Sequence, residues 1–253
     1  MIEKTFARLT ALAALALAST LALSQAPSAV LTIHADQPVS SVSPTLYGLM
    51  TEEINYSYDG GLLAEMVRNR TLRANWDGVE YWYLVENGNA QAKIDPDAQN
   101  GPSEALKSSL RLDVQNASPE NQAGVLNVGY WGMPLRPDTT YKGSFYAKAA
   151  AGDIGPVTVS LVQDQTGKSV ASATVSALTT DWKQYEFTLK TGAIETSAAN
   201  HLTLTVGHPG TLWLNLVSLF PPTYHDRKNG YRIDLMEKLA AMHPAFIRFP
   251  GGN

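Results

Sequence analysis

The adjacent acidic residues Glu52 and Glu53 are a pair of carboxylates that suggests acid–base chemistry. Hydrolysis by two such groups requires that both reach the same bond. Neighbouring residues on a β-strand point to opposite faces, so these two side chains cannot converge on one bond. We therefore expect one of them to face the interior of its domain and the other to face its surroundings.

A charged side chain, that of Arg248, lies within the apolar segment 246–249. The guanidinium of arginine keeps its charge in proteins, so its burial is costly unless an anion lies beside it. The residues alone allow a plain ion pair between Arg248 and either Glu52 or Glu53.

The composition excludes several other kinds of chemistry. The chain of 253 residues contains no cysteine, which excludes disulfides, thiolate catalysis and cysteine-bound zinc. Its five histidines form no HxH, HxxxH or HExxH pair, so we predict no metal site and no cofactor. The net charge is −4 and the 19 Lys and Arg residues are scattered, which argues against nucleic acid and a membrane surface as partners.

The first 24 residues have the character of an export signal. Lys4 and Arg8 give a basic start, an apolar run follows over 9–23, and Ala22 and Ser24 suit a cleavage site. The apolar run is shorter than the roughly 20 residues that span a bilayer. We predict a secreted or periplasmic protein, with a retained signal anchor as the alternative.

The residue pattern predicts β-strands over most of the chain. Apolar residues alternate with polar ones in runs such as Leu110/Leu112/Val114, and clusters of Gly, Pro, Asn and Asp separate these runs. About eight strands with one packed face each are typical of a jelly-roll β-sandwich. We predict this sandwich over residues 75–222.

The segments on either side of the sandwich combine strands with helices. Before it we predict strands at 30–34 and 46–54 and a helix at 62–70, and after it a helix at 232–242 and a strand at 245–249. A helix that leads into an apolar strand with a Gly-rich turn is half of a β/α unit. The earlier residues offer this strand one parallel partner, so we expect the chain to stop within a second domain.

Sequence blocks on both sides of the sandwich resemble the α-L-arabinofuranosidases of glycoside hydrolase family 51. Short blocks inside the sandwich resemble a carbohydrate-binding jelly roll. The first set consists of residues 47–55 (YGLMTEEIN), 59–62 (DGGL), 69–70, 229–235 (NGYRIDL) and 244–253 (PAFIRFPGGN), and the second of residues 141–148, 181–185 and 217–221.

The resemblance implies a mostly β fold, in which a jelly-roll β-sandwich is inserted between the first two β/α elements of an incomplete (β/α)8 barrel. The strand at 30–34 would then belong to a carboxy-terminal sandwich of the family. The implied domains are a signal peptide at 1–24, the first strands and helix of the barrel region at 30–74, the carbohydrate-binding-like sandwich at 75–222 and the second β/α element at 223–253.

The activity implied by the resemblance is the retaining hydrolysis of terminal α-L-arabinofuranosyl groups from plant polysaccharides or oligosaccharides that contain arabinose. Retention requires two carboxylates about 5–5.5 Å apart. The family carries them on barrel strands four and seven, whereas this chain is expected to stop at strand two. We therefore predict that the chain contains no catalytic residue and is inactive alone.

The resemblance also implies roles in substrate binding. Glu52 would face the sugar and accept hydrogen bonds from its hydroxyls, Arg248 would hold the nucleophilic carboxylate ionised, and Asn253 would bind the sugar at the end of its strand. A structural ion pair is the alternative for Glu52 and Arg248.

The sandwich has aromatic candidates of its own, because sugar rings stack their apolar faces on exposed aromatic side chains. Trp131 is the strongest, since Trp131-Gly132 leaves a strand for a loop, and core or edge packing is the alternative. The other candidates are Trp82, Tyr83 and Tyr130, while Trp182, Tyr185 and Trp213 are expected to pack inside.

Two other functions remain open from the sequence. The first is a non-catalytic secreted protein in which the sandwich alone binds carbohydrate, and such a module does not need the segments 46–73 and 231–253. The second is a structural β-sandwich without affinity for sugar, which a uniformly polar face would favour.

Overall fold

A computed structural model describes residues 29–73, 79–151 and 154–249. The predicted signal peptide at 1–24 and the predicted sugar contact Asn253 lie outside these described residues. The chain divides into two compact units, Met1–Leu46 and Tyr47–Asn253. None of the helices in the described ranges has the length and apolar character needed to cross a bilayer.

The described part of the first unit is exposed and contains no strand. Residues 29–46 form turns and irregular backbone, so the strand predicted at 30–34 is wrong. A strand is stabilised by hydrogen bonds to a neighbouring strand, and no described residue of this unit supplies one.

Two antiparallel sheets of five strands each form most of the second unit, over its described residues. The strands are β2 (Trp82–Glu86), β3 (Gln91–Asp97), β4 (Ser109–Asn116), β5 (Ala123–Asn127), β6 (Thr140–Ala149), β7 (Val157–Gln163), β8 (Ser169–Val175), β9 (Lys183–Lys190), β10 (Asn200–Val206) and β11 (Gly210–Phe220). The strand orders are β2-β5-β10-β7-β8 and β3-β4-β11-β6-β9. This confirms the predicted β-sandwich, with ten strands instead of about eight.

The hydrophobic core lies between the two sheets, and strand β4 shows why the sequence folds this way. Leu110, Leu112 and Val114 are buried, while Arg111 and Asp113 between them point to the other face. Both sheets contribute residues to this core, among them Val125, Phe145, Val159, Leu161, Leu189, Leu204 and Leu214.

The remaining elements of the second unit include one parallel strand pair and a helix. Strand β1 (Leu49–Met50) pairs in parallel with β12 (Ile247–Arg248), and helix α1 (Ile233–Ala241) precedes β12. The predicted helix at 232–242 and the parallel pairing are confirmed. Strand β1 is shorter than the predicted 46–54, and the chain turns within that range, where the N–H of Ile54 donates to the carbonyl oxygen of Glu52 at 3.0 Å.

The helix predicted at 62–70 is wrong. A single irregular turn occupies Tyr58–Leu62, and the following residues are extended. The backbone N–H groups of Ala64 and Met66 donate to the carbonyl oxygens of Gly230 and Leu219, at 3.1 and 3.0 Å. Met66 and Val67, two of the apolar residues that suggested a helical face, instead pack into the sandwich core, so tertiary contacts override local propensity.

Two neighbouring segments connect the sandwich to the β1–β12 region. Leu63 forms an antiparallel bridge with Tyr231, and the N–H of Arg232 donates to the carbonyl oxygen of Leu62 at 2.8 Å. Packing with the sandwich begins at Ala64, which is buried, so the core takes in residues upstream of the expected boundary at 75.

Candidate functional site

Glu52 lies near Arg248, at the carboxyl ends of the paired strands β1 and β12. The N–H of Thr51 donates to the carbonyl oxygen of Arg248 at 3.1 Å, and Glu52 follows Thr51 directly. Glu52 is half-buried, whereas Glu53 is exposed and accepts a hydrogen bond from the N–H of Tyr58 at 2.9 Å. The two adjacent carboxylates therefore have different surroundings, as the sequence predicted.

Arg248 is exposed, and no ion pair joins it to Glu52 or Glu53 within the described ranges. Its guanidinium stays accessible to a further anion at this edge.

A second cluster, missed by the sequence analysis, connects the loop after Glu52 to the sandwich. The Nη2 atom of Arg68 donates to the phenol oxygens of Tyr56 at 2.5 Å and Tyr81 at 2.8 Å. The guanidinium carbon lies 3.6 Å from the ring centroid of Tyr81 and 4.9 Å from that of Tyr56, which are cation–π distances. These residues are 12 and 13 positions apart in sequence, a spacing that signals no contact in a helix or a strand.

The backbone of Arg68 is fixed by Asn127, which is fully buried in β5. The Oδ1 atom of Asn127 accepts a hydrogen bond from the N–H of Arg68 at 3.2 Å, and its Nδ2 donates to the carbonyl oxygen of Arg68 at 2.9 Å. A polar residue at an inward position of a strand was the one sequence signal for this contact.

The four aromatic candidates of the sandwich have different environments. Trp131 is 67% exposed, and its ring lies edge-on to that of Tyr56, with 5.1 Å between centroids. Trp82 is buried and its indole N–H donates to a backbone carbonyl at 3.2 Å, so it is not a sugar platform. Tyr83 is 51% exposed and Tyr130 is half-buried.

Trp131 stands at the rim of a cleft of about 480 Å³. Aromatic, apolar and charged side chains line the cleft together. Its lining includes Gly60, Leu63, Glu65, Tyr130, Trp131, Pro134, Arg136, Thr139, Tyr141, Pro221, Pro222, Arg232, Ile233 and Asp234. Burial, together with the nearby charges of Asp59 and Glu65, raises the pKa of Tyr130, so its hydroxyl stays protonated.

The buried carboxyl group of Glu65 connects residues 65–67, at the cleft, to strand β11 through hydrogen bonds. Its Oε1 accepts hydrogen bonds from the N–H groups of Val67 at 3.0 Å and Leu219 at 2.9 Å, and its Oε2 accepts one from the hydroxyl of Ser218. The guanidinium of Arg70 lies 3.7 Å away. Burial raises the pKa of Glu65, although the hydrogen bonds and Arg70 act in the opposite direction.

The outer face of the sheet that contains β4, β11 and β6 carries a tryptophan among charged groups. The indole N–H of Trp213 donates to Oδ2 of Asp97 at 2.9 Å, and the Nζ of Lys148 lies 4.8 Å from the ring centroid. The expectation that Trp213 and Trp182 pack inside is wrong for both. Strand alternation directs Trp213 outward between the buried neighbours Leu212 and Leu214, and Trp182 is half-exposed.

Tyr185 was expected to pack inside, and the structure confirms it. Tyr185 is buried and its ring stacks on that of Phe145, with centroids 5.5 Å apart.

Within the described ranges, no three potential ligands among His, Asp and Glu converge as a metal site would require.

Comparison with known proteins agrees with this architecture. Residues 64–210 match the carbohydrate-binding domain family. A probable α-L-arabinofuranosidase A of Aspergillus flavus is 36% identical over 85% of this chain, and α-L-arabinofuranosidase 1 of Arabidopsis thaliana is 33% identical over 89%. Each alignment covers 34% of the relative, so the chain spans about a third of the length of the curated relatives it matches.

A solved structure shares the fold along most of the chain. It is an arabinose-bound α-L-arabinofuranosidase of glycoside hydrolase family 51, which matches 86% of this chain and 36% of its own with a TM-score of 0.76 and 35% identity. The sandwich and the β1–β12 elements thus have their relatives in one group of proteins. The chain belongs to the carbohydrate-binding domain family over residues 64–210, and along most of its length it is a relative of the family 51 α-L-arabinofuranosidases.

Proposed function

We propose that the chain is part of a retaining α-L-arabinofuranosidase, which releases terminal arabinofuranosyl groups from plant polysaccharides or oligosaccharides that contain arabinose. The observation that carries the proposal is the parallel pairing of β1 with β12, which brings Glu52 and Arg248 to one edge. In (β/α)8 barrels the active site lies at the carboxyl ends of the strands.

Each residue at this edge has a defined task in the proposed reaction. The carboxylate of Glu52 accepts hydrogen bonds from sugar hydroxyls, and the guanidinium of Arg248 keeps the nucleophilic carboxylate ionised and oriented. Asn253 adds a further hydrogen bond to the sugar. The two catalytic carboxylates belong to later barrel strands of the family, so the 253-residue polypeptide alone contacts the sugar without hydrolysing it.

The surface of the β1–β12 region supports this proposal. Parallel barrel strands are normally covered on both faces, yet Met50, Phe246 and Ile247 are each about half-exposed, and helix α1 contains no buried residue. Apolar side chains of this kind fit elements that the rest of a barrel covers.

The product of the complete enzyme tests the hydrolase proposal. The protein expressed from its complete open reading frame should release arabinose from an aryl α-L-arabinofuranoside, with the α configuration retained in the first product. Glu52→Gln should raise KM several-fold, while Glu53→Gln, its exposed neighbour, serves as the matched control. Inversion of configuration, or no release of arabinose, would contradict the proposal.

A second function, carbohydrate binding by the sandwich itself, is favoured by the family match over 64–210 and by the outer face around Trp213. There an aromatic ring lies beside Arg111, Lys148 and Asp97, which are groups that hydrogen-bond sugar hydroxyls. This function requires no catalytic group. It is also the role left to the chain if the hydrolase proposal fails.

Retardation in a native gel that contains arabinoxylan measures this binding. The chain should be retarded relative to a gel without polysaccharide, and Trp213→Ala should reduce the retardation. Trp82→Phe, a conservative change at a buried tryptophan, controls for loss of one indole. Equal mobility with and without polysaccharide would exclude binding by the sandwich.

Export of the protein is also proposed, because residues 1–24 have the charge and apolar pattern of a signal peptide. Amino-terminal sequencing of protein from culture medium or periplasm should find a start shortly after Ser24. A cytoplasmic protein that keeps Met1 would contradict this proposal.

A further inference from the structure

The cleft beside Trp131 is separate from both surfaces considered so far. Neither Glu52 nor Arg248 lines it, and Trp213 is not among its lining residues. Its volume of about 480 Å³ falls within the range of roughly 300–1,000 Å³ that is typical of small-molecule sites. The cleft is thus large enough for a ligand of its own.

A rigid turn presents the aromatic side of the cleft. Gly129 and Gly132 have φ of 68° and 83°, and a Cβ at Gly132 would lie 2.0 Å from the carbonyl oxygen of Ala198. The next residue, Met133, donates from its N–H to the carbonyl oxygen of Asn200 at 3.0 Å, and Asn200 donates back from Nδ2 at 3.1 Å. The backbone that carries Trp131 is therefore fixed while the residue is 67% exposed, so less ordering of the turn opposes stacking.

The charged groups of the cleft offer hydrogen bonds opposite this ring. Arg232 donates to Asp234 through Nε at 3.1 Å and Nη2 at 2.6 Å, and both side chains are about 40% exposed. Their remaining donor and acceptor sites are accessible. Arg136 also lines the cleft, and its charge lowers the pKa of Asp234 together with the stronger effect of Arg232.

The accessible charges of the cleft are partly paired. Arg232 forms an ion pair with Asp234, so the two together carry no net charge, and Arg136 lies beside them. The carboxyl group of Glu65 is buried and already accepts hydrogen bonds from Val67, Leu219 and Ser218. An exposed indole beside donors and an accessible carboxylate suits a neutral sugar, which combines an apolar ring face with several hydroxyls.

We propose that this cleft is a second carbohydrate site, which binds a neutral pentose unit of the polysaccharide. The ring stacks on Trp131, and its hydroxyls bond to Asp234 and Arg136. The class of sugar rests on the proposed function, whereas the site itself is additional to the β1–β12 edge and to the face around Trp213. The sandwich and the segment 231–234 build the site jointly, so an isolated sandwich lacks half of it.

Calorimetric titration of the 253-residue chain with a neutral arabinoxylo-oligosaccharide tests the proposal. Trp131→Ala should weaken binding about fivefold to tenfold, the loss expected for one stacked aromatic ring. Tyr47→Ala removes another exposed aromatic that does not line the cleft, and it should leave Kd unchanged. Asp234→Asn leaves the aromatic turn untouched, and it should weaken binding several-fold if the fold is intact by circular dichroism.

The outcomes separate this proposal from the proposed function. If Trp213→Ala removes binding and both cleft variants bind as the unchanged chain does, the cleft proposal is wrong and carbohydrate binding stands. If neither the wild-type chain nor any variant binds the oligosaccharide, the carbohydrate-binding proposal is wrong and the cleft proposal is wrong with it. Tighter binding of a uronate-bearing oligosaccharide would overturn the assignment to a neutral sugar.

Discussion

Arg68 donates a hydrogen bond of 2.5 Å to the phenol oxygen of Tyr56 and thereby connects the sandwich to the loop that follows Glu52. The backbone of Arg68 is held by the buried Asn127, and the backbone of Tyr56 is left-handed, with φ of 64°. A conformation of this kind persists only where surrounding contacts fix it. The sandwich thus determines the shape of a loop that begins at a proposed sugar contact.

Removing the donor should loosen this loop. Arg68→Met keeps the length of the side chain but loses both phenol hydrogen bonds and the cation–π contacts, so the free energy of unfolding should fall by about 1–3 kcal/mol. Amide exchange of residues 54–57 should accelerate more than that of strand β10. Tyr83→Phe, which changes an exposed hydroxyl outside the cluster, is the control. If amide exchange of residues 54–57 is as slow in Arg68→Met as in the wild-type protein, the role given to Arg68 is wrong.

Glu65 should make stability depend on pH in an unusual direction. Because its pKa is raised in the folded state, the folded protein binds this proton more tightly than the unfolded chain does. Relative to Glu65→Gln, the unchanged protein should therefore gain stability as the pH falls through the folded pKa, and the gain should level off below the unfolded value. Urea unfolding between pH 4 and 8 measures it.

Glu104→Gln, an exposed carboxylate, is the control for that experiment. A difference between the unchanged protein and Glu65→Gln that stays constant from pH 8 to 4 would show that the proton is not bound as described.

Asp97 should behave in the opposite way. Burial alone would raise the pKa of its carboxyl group, but hydrogen bonds from Asn100, Gln99 and Trp213 outweigh this and lower it. Its contribution is present above the unfolded pKa and is lost as the pH falls through the folded value. Acid titration should therefore change the fluorescence of Trp213 at a pH below the usual range of aspartate.

The variant Asp97→Asn should remove that fluorescence transition. Asp95→Asn, which changes a half-buried carboxylate on the same strand that pairs with Lys93 at 2.7 Å, is the matched control. A transition that survives in Asp97→Asn would have to come from another tryptophan.

The turn that presents Trp131 should not tolerate a side chain at Gly132. Gly132→Ala introduces both a positive φ of 83° at alanine and a Cβ 2.0 Å from a carbonyl oxygen, so we expect a loss of about 2–4 kcal/mol. Gly167→Ala has a similar φ of 65° but meets nothing within 4 Å, so it should lose only about 1 kcal/mol. Equal losses for the two variants would mean that the contact with Ala198 is unimportant.

The sequence predicted those features that depend on local periodicity. Alternation in segments such as 110–114 predicted the strands of the sandwich, and the spacing of Ile233, Met236 and Leu239 predicted helix α1. The segment 62–70 has apolar residues with a helical spacing too, but long-range hydrogen bonds to Gly230 and Leu219 hold it extended. Hydrogen bonds between residues so far apart in sequence produce no periodic pattern in a single sequence.

The candidate sites were predictable to a similar extent. The family resemblance indicated Glu52 and Arg248, and the transition from a strand to a loop at Trp131-Gly132 indicated Trp131. The Arg68 cluster was missed, since its partners lie in three separate segments. Trp213 was expected on the inner side of its sheet, but it lies between the buried Leu212 and Leu214, so alternation directs it to the outer side.

The bridge between Leu63 and Tyr231 bears on how this gene could have evolved. Because the chain leaves the β1–β12 region and returns to it at adjacent points, a deletion of residues 64–230 would leave two ends that a very short linker could rejoin. One recombination event could therefore remove the whole sandwich, or exchange it for another, while the order of the barrel strands stayed the same. Each exchanged segment would have to include the buried residues from Ala64 onward, among them Glu65.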